Sequence, residues 1–162
     1  MENLWSPWRM KYISDSGNAG GECVFCTFPK MPDGPANLVV HRGENAFAIL
    51  NRYPYTTGHL MIVPFLHVPS IEDLTPATRF EMIEMVNEAI GILRAVYQPE
   101  GFNIGVNMGS AGGAGIAEHA HIHVVPRWAG DTNFMSTTGE IRVLPEDMGM
   151  TLKRISEYWS GN

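Results

Sequence analysis

The chain has 162 residues, of which 44% are hydrophobic and 17% charged, a globular composition that excludes a disordered or collagen-like chain. Its net charge is −6, so we expect neither nucleic acid nor an anionic membrane as a partner. The apolar run around Pro64 is too short to cross a bilayer, and the first residues lack a signal-peptide pattern. We therefore expect a cytoplasmic protein.

The N-terminal segment is irregular and carries one Cys-x-x-Cys pair, Cys23 and Cys26. In a small intracellular protein this spacing indicates metal binding or redox chemistry more often than a structural disulfide. We predict an N-terminal arm over residues 1–36, a main domain over 37–135, and a C-terminal extension over 136–162 that packs on the main domain.

Five strands and one long helix are predicted in the main domain. Thr75 is a good N-cap residue, Pro76 suits the first helical position, and apolar residues then recur at helical spacing as far as Tyr97. The strands are predicted at 38–40, 46–50, 59–63, 102–107 and 119–125. This order favours an α+β fold with an antiparallel sheet and one long helix.

Three histidines alternate along the last predicted strand: His119, His121 and His123. Side chains alternate across a strand, so the three imidazoles are expected on one face of the sheet. An exposed polar face is the alternative explanation, but histidine is rarely chosen for solubility alone. Catalysis or metal binding is therefore favoured.

A glycine-rich loop, residues 109–115, lies directly before the histidines. Glycines allow backbone N–H groups to approach an anion such as a phosphate. The loop lacks the Gly-Lys-Ser/Thr of a Walker motif and leads into a strand rather than a helix. Beside the histidines, it indicates an imidazole nucleophile next to amides that stabilise charge on a phosphoryl group.

The His-x-His-x-His pattern followed by two apolar residues resembles the signature of the histidine triad family of nucleotide hydrolases and transferases. The segment 51–59 resembles the family's Asn…Pro…Gly-His segment, and the similarity covers about 37–134. The segments 4–9, 50–55 and 125–134 resemble more narrowly the branch of bacterial diadenosine tetraphosphate phosphorylases. The resemblance implies the histidine-triad fold and a homodimer.

The resemblance also implies a nucleotidyl-histidine intermediate. His121 would be the nucleophile, His123 would hydrogen-bond the phosphoryl or leaving oxygen, and His59 would support the histidines. The family usually has Ser or Gln where this chain has Gly115, so phosphate contact there would fall to backbone N–H groups or to Ser110. The implied substrate-binding residues are Asn51 for ribose, Asn107 for a phosphate or the leaving group, and Ser110, Gly113, Gly115 and His123.

A structural zinc site is implied by the same resemblance, with Cys23, Cys26, His67 and His119 as ligands. A Cys₂His₂ set suits tetrahedral Zn²⁺, and the alternative is a pair of reduced thiols beside an ordinary loop histidine. A redox role for the cysteines is less favoured, because the thioredoxin-like βαβ context is missing.

The leading functional hypothesis is phosphorolysis of diadenosine tetraphosphate to ATP and ADP, with inorganic phosphate as the acceptor. The second is a dinucleoside polyphosphate or nucleoside phosphoramidate hydrolase, in which water accepts the nucleotidyl group. The third is a zinc-stabilised nucleotide-binding module whose catalysis is incidental.

Overall fold

The computed structural model describes residues 22–132 and 146–160. The segment 4–9 and the last two positions of the segment 125–134 lie outside the described residues. The helices are α1 (Val24–Thr27), α2 (Pro76–Tyr97) and α3 (Met148–Ser160), with 3₁₀ turns at Phe28–Lys30 and Ile71–Asp73. The strands are β1 (Val39–Arg42), β2 (Ala46–Leu50), β3 (Leu60–Pro64), β4 (Gly101–Val106) and β5 (Ile122–Arg127).

The strands form one antiparallel sheet in the order β1-β2-β3-β5-β4. Helix α2 packs on one face of this sheet, where Leu60, Ile62 and Val124 are fully buried. Burial of this apolar face is what holds helix and sheet together. The prediction of an α+β fold with an antiparallel sheet is confirmed.

Helix α2 begins where the sequence predicts. The Thr75 hydroxyl accepts a hydrogen bond from the backbone N–H of Thr78, and Pro76 occupies the first turn. The helix ends at Tyr97, because Gln98 adopts a left-handed conformation and caps the carbonyl of Arg94.

The last strand begins later than predicted. Strand β5 starts at Ile122, so of the three histidines in the pattern only His123 lies within it. The backbone N–H of Ala120 donates to the carbonyl of Val68, at 2.7 Å, rather than to a neighbouring strand. His119 and His121 are therefore held by an irregular segment that leads into the strand, and simple strand alternation does not describe their directions.

Helix α3 packs beside α2 and over β1. The indole of Trp159 donates to the Glu88 carboxylate at 3.0 Å and stacks on the ring of His41, with centroids 5.0 Å apart. Tyr97 donates to Glu146 just before the helix begins. Within the described residues, no helix combines the length and apolarity that crossing a membrane requires.

The two edges of the sheet differ in regularity. Strand β1 has a register shift between Val39 and His41, so its pairing with β2 is bulged. Strand β4 pairs with β5 at six successive positions, without a register shift. On β4 the side chain of Ile104 is 47% exposed, on the face of the sheet that carries Val124.

Candidate functional site

Four potential metal ligands come together beside the start of β5. One ligand atom from each of Cys23, Cys26, His67 and His119 lies within 4.8 Å of all the others. His67 Nδ1 is 3.2 Å from both Cys26 Sγ and His119 Nδ1, and Cys23 Sγ is 3.4 Å from His119 Nδ1. A tetrahedral zinc site with the usual bond lengths has ligand separations of about 3.3–3.8 Å, so these four residues fit such an ion.

The surroundings of His119 also suit a metal ligand. This side chain is fully buried, and its Nε2 lies 2.8 Å from the carbonyl oxygen of Pro64. A carbonyl only accepts, so Nε2 carries the proton and Nδ1 presents its lone pair to the sulfur atoms. Burial and the neighbouring Cys23 raise the pKa of the Cys26 thiol. A bound cation would reverse that effect and hold both thiols as thiolates.

His121 follows His119 two residues along the chain and is not one of the four potential metal ligands. The side chain is 3% exposed, and burial lowers its pKa, which favours the neutral imidazole. His121 Nδ1 is 2.8 Å from the backbone carbonyl oxygen of His119, so Nδ1 must donate a proton. In the neutral ring, Nε2 is then the nitrogen with the lone pair.

His59 and His123 form a hydrogen-bonded pair. The backbone N–H of Tyr55 donates to His59 Nδ1 at 3.1 Å, and His59 Nε2 lies 3.0 Å from His123 Nδ1. Nδ1 of His59 therefore accepts, and neutral His59 carries its proton on Nε2 and donates it to His123. Neutral His123 consequently carries its own proton on Nε2. The rings of His121 and His123 are 4.8 Å apart, which brings all three imidazoles together.

Gly58, the residue before His59, packs closely against α2. Gly58 has a φ of +78°, and a Cβ atom at this position would lie 2.9 Å from a methyl group of Leu93. Only glycine accepts both this backbone conformation and this close approach. The residue before His59 is therefore constrained by the helix on which the sheet packs.

Among the predicted substrate-binding residues, Asn51 lies beside the histidines, with its Nδ2 3.5 Å from His59 Nε2. Asn51 Oδ1 accepts from the backbone N–H of Tyr53 at 2.9 Å, and Asn51 lines a small pocket with His59 and Thr57. The buried hydroxyl of Thr57 has no hydrogen-bond partner within residues 22–132 and 146–160. In the glycine-rich loop, Asn107 donates to the carbonyl of Gly113 at 3.4 Å. Ser110 is exposed, and Gly113 and Gly115 are half-buried.

Two aromatic residues that sequence reasoning missed contact the histidines. The ring of Tyr55 lies 4.7 Å from that of His59. The ring of Phe25 lies 5.4 Å from that of His119 and 5.0 Å from that of His121. Phe25 stands inside the Cys-x-x-Cys motif, which was the available signal, but the motif alone does not say which of its two inner residues points inward.

Comparison with known proteins gives a family match over most of the main domain: the HIT domain family matches residues 34–130. An AP-4-A phosphorylase from Mycobacterium tuberculosis is 38% identical over 167 residues, covering 99% of this chain and 85% of that protein. An asymmetrical bis(5'-nucleosyl)-tetraphosphatase from Schizosaccharomyces pombe is 30% identical, covering 64% of this chain and 56% of that protein.

Solved structures share the fold. A Zn-bound histidine triad family protein from Mycobacterium smegmatis superposes with a TM-score of 0.68 and 26% identity, covering 86% of this chain and 94% of that one. A hypothetical histidine triad nucleotide-binding protein from Sulfolobus tokodaii gives a TM-score of 0.69 at 24% identity, covering 86% of this chain and 93% of that one.

Proposed function

This chain belongs to the HIT domain family and is an enzyme, and we propose that it transfers nucleotidyl groups from dinucleoside polyphosphates through an intermediate on His121. The favoured reaction is phosphorolysis of diadenosine tetraphosphate to ATP and ADP. The observation that carries the proposal is the 2.8 Å contact between His121 Nδ1 and the His119 carbonyl, which leaves Nε2 as the nucleophilic atom.

In the first step His121 Nε2 attacks the α-phosphorus. A P–N bond forms, the bond from this phosphorus to the bridging oxygen breaks, and ATP leaves. The proton stays on Nδ1 and remains hydrogen-bonded to the His119 carbonyl, which stabilises the positive charge that the ring acquires. In the second step an oxygen of inorganic phosphate attacks the same phosphorus, the P–N bond breaks, and ADP is released with neutral His121 restored.

His123 is proposed to hydrogen-bond the phosphoryl or leaving oxygen. The bond from His59 Nε2 to His123 Nδ1 supports this role, because it places the proton of neutral His123 on Nε2, from which it can be donated. His59 is itself oriented by the backbone N–H of Tyr55. His59 therefore acts through His123, as a positioning residue.

The remaining roles concern the nucleotide. We propose that Asn51 holds the ribose, which its place beside His59 supports. The glycine-rich loop would bind the phosphates through backbone N–H groups, since Gly109 and Gly113 have φ values of +68° and +83° that other residues adopt rarely. The proposed phosphate contacts from this loop and its base are Asn107, Ser110, Gly113 and Gly115.

We propose Zn²⁺ as the metal held by Cys23, Cys26, His67 and His119. The donor set and the ligand separations support a closed tetrahedral site, which has a structural role and takes no part in the chemistry. Cys23 and Cys26 must stay reduced to bind an ion, and thiols are kept reduced in the cytoplasm. We therefore propose the cytoplasm as the compartment.

We propose a homodimer that forms through the β4 edge of the sheet. Strand β4 lies at the edge, pairs regularly with β5, and exposes 47% of the Ile104 side chain. A regular edge strand with an apolar side chain is a natural place for a second copy to pair.

A single product analysis tests the reaction. The purified protein is incubated with diadenosine tetraphosphate, with and without inorganic phosphate, beside His121→Ala. ATP and ADP that appear only with phosphate are the expected result. AMP and ATP formed regardless of phosphate would establish hydrolysis instead. Nucleotide binding that survives in His121→Ala, with no turnover by the intact protein, would leave the binding-module hypothesis.

A further inference from the structure

We propose that Phe25, inside the Cys-x-x-Cys motif, is a positioning residue that holds the imidazole of His121 in its reactive orientation. The inference rests on the proposed function for its kinetic consequence, but not for its structural one. It assigns a role in the reaction to a residue that binds neither metal nor phosphate.

The turn of helix α1 determines which way Phe25 points. The backbone N–H groups of Cys26 and Thr27 both donate to the carbonyl of Cys23, at 2.9 and 3.0 Å, which closes one helical turn. The turn directs Val24 outward, where it is 40% exposed, and Phe25 inward, where it is 2% exposed. Cys23 and Cys26, the residues on either side of Val24 and Phe25, are metal-ligand candidates, so a bound ion would fix the direction of Phe25.

The ring of Phe25 contacts two imidazoles. It meets His119 edge-on, with centroids 5.4 Å apart and planes at 80°, and it lies against His121 at 5.0 Å with planes at 58°. These separations are those of favourable aromatic pairs. The contact with His121 therefore restricts rotation of the ring that must attack.

Two restraints thus act on His121 from different directions. The hydrogen bond from Nδ1 to the His119 carbonyl fixes one atom of the ring, and the Phe25 ring packs against it. A hydrogen bond alone leaves the ring free to tilt about that atom. Reaction requires Nε2 to be aligned with the phosphorus, and a displacement of about 1 Å costs about 100-fold in rate.

The test compares Phe25→Leu with a matched control, Phe47→Leu, in the zinc-loaded protein. Phe47 is also fully buried and stacks on Phe65 at 5.2 Å, and in the described part of the chain its ring makes no ring contact with a histidine. We expect kcat to fall by about 10- to 100-fold in Phe25→Leu with KM changed less than about twofold. Phe47→Leu should lower Tm and leave kcat within about twofold.

A structural readout accompanies the kinetics. Imidazole ¹⁵N resonances should show one fixed tautomer of His121 in the wild type, protonated on Nδ1, and a mixture of tautomers in Phe25→Leu. Zinc content should be unchanged. A fixed tautomer in Phe25→Leu, a rise in KM with kcat unchanged, or loss of zinc would each overturn the proposal. If the wild type turns over no nucleotide, the proposed function fails, while the tautomer measurement still decides the role of Phe25.

Discussion

Two groups of histidines lie close together in this molecule, and they differ in the atoms that their ring nitrogens contact. In the metal-ligand group, His67 and His119 direct their Nδ1 atoms at two thiols and at each other. In the proposed catalytic group, His59 and His123 hydrogen-bond to each other, and His121 hydrogen-bonds to a backbone carbonyl. In the first arrangement four ligand atoms lie close enough to share one ion, and in the second His121 Nε2 keeps the lone pair that we propose attacks the substrate.

The comparison shows that one residue, His119, can take part in both groups. His119 contributes its Nδ1 to the metal-ligand group and its carbonyl oxygen to His121. One residue therefore connects the metal-ligand group with the proposed catalytic group. Mutations should nevertheless affect the two groups separately, because four side chains form the first, whereas His121 in the second is oriented by a hydrogen bond to a backbone carbonyl, which side-chain substitutions of His119 leave in place.

The largest expected effect is that of His121→Ala. Removing the nucleophile should lower kcat by at least about 1,000-fold, since no other imidazole takes its position. Zinc content, measured by atomic emission, should be unchanged. The control His41→Ala removes a histidine that belongs to neither group and should retain kcat. Loss of zinc in His121→Ala would show that the two clusters are not separable.

The next largest effect is expected for the metal-ligand group, where removing the metal should destabilise the fold. Cys26→Ser, or chelation of the wild type, should abolish zinc binding and lower the free energy of unfolding by about 3 kcal/mol or more. Denaturant unfolding measures this change, and zinc returned to the chelated wild type should restore it. An unchanged free energy of unfolding would contradict a structural metal.

The His59→Ala variant sharpens the assignment within the catalytic group. Without the bond from His59, the proton of His123 is no longer confined to Nε2, so we expect kcat to fall by about 100-fold with little change in KM. Steady-state kinetics measure both constants. Zinc content provides the control, and a change confined to KM would argue against a positioning role.

The smallest expected effect lies outside both clusters. The Arg127 guanidinium holds the pKa of Asp131 at about 2, through a hydrogen bond of 2.8 Å from its second terminal nitrogen among other contacts. Because the folded pKa is lowered, this stabilisation is present above the unfolded value of about 3.9 and is lost as the pH falls towards 2.

For Asp131→Asn we therefore expect a loss of about 1 kcal/mol at pH 7, since solvent weakens a partly exposed pair. The difference from the wild type should shrink between about pH 4 and pH 2. Thermal unfolding as a function of pH measures it. Activity and zinc content at pH 7 should stay unchanged, and a drop in either would place this turn within the functional site.

The sequence predicted the elements of the described fold well and the details of the site less well. Helix α2 carries its signals locally, in Thr75 and Pro76, and these residues cap it as expected. The start of β5 depends instead on a distant partner, the carbonyl of Val68, which no local pattern reports. The roles proposed for the histidines stay predictions, although the structure brings their side chains together.

The contacts of Tyr55 and Phe25 with the histidines could not be predicted from the spacing of the histidines in the sequence. Tyr55 orients His59 through a backbone N–H, a group that every residue except proline possesses. Phe25 reaches His121 only because a one-turn helix brings the arm against the start of β5. Such contacts arise from tertiary packing, so the residue types alone did not indicate them.

The unequal edges of the sheet also limit how large an assembly can become. If two copies join through β4, each is left with β1 at its far side, where the shift between Val39 and His41 interrupts regular pairing. A contact that uses the same strand from both partners is symmetric and closes on itself. Growth would then stop at two copies, without the fibres that a sheet with two regular edges can form.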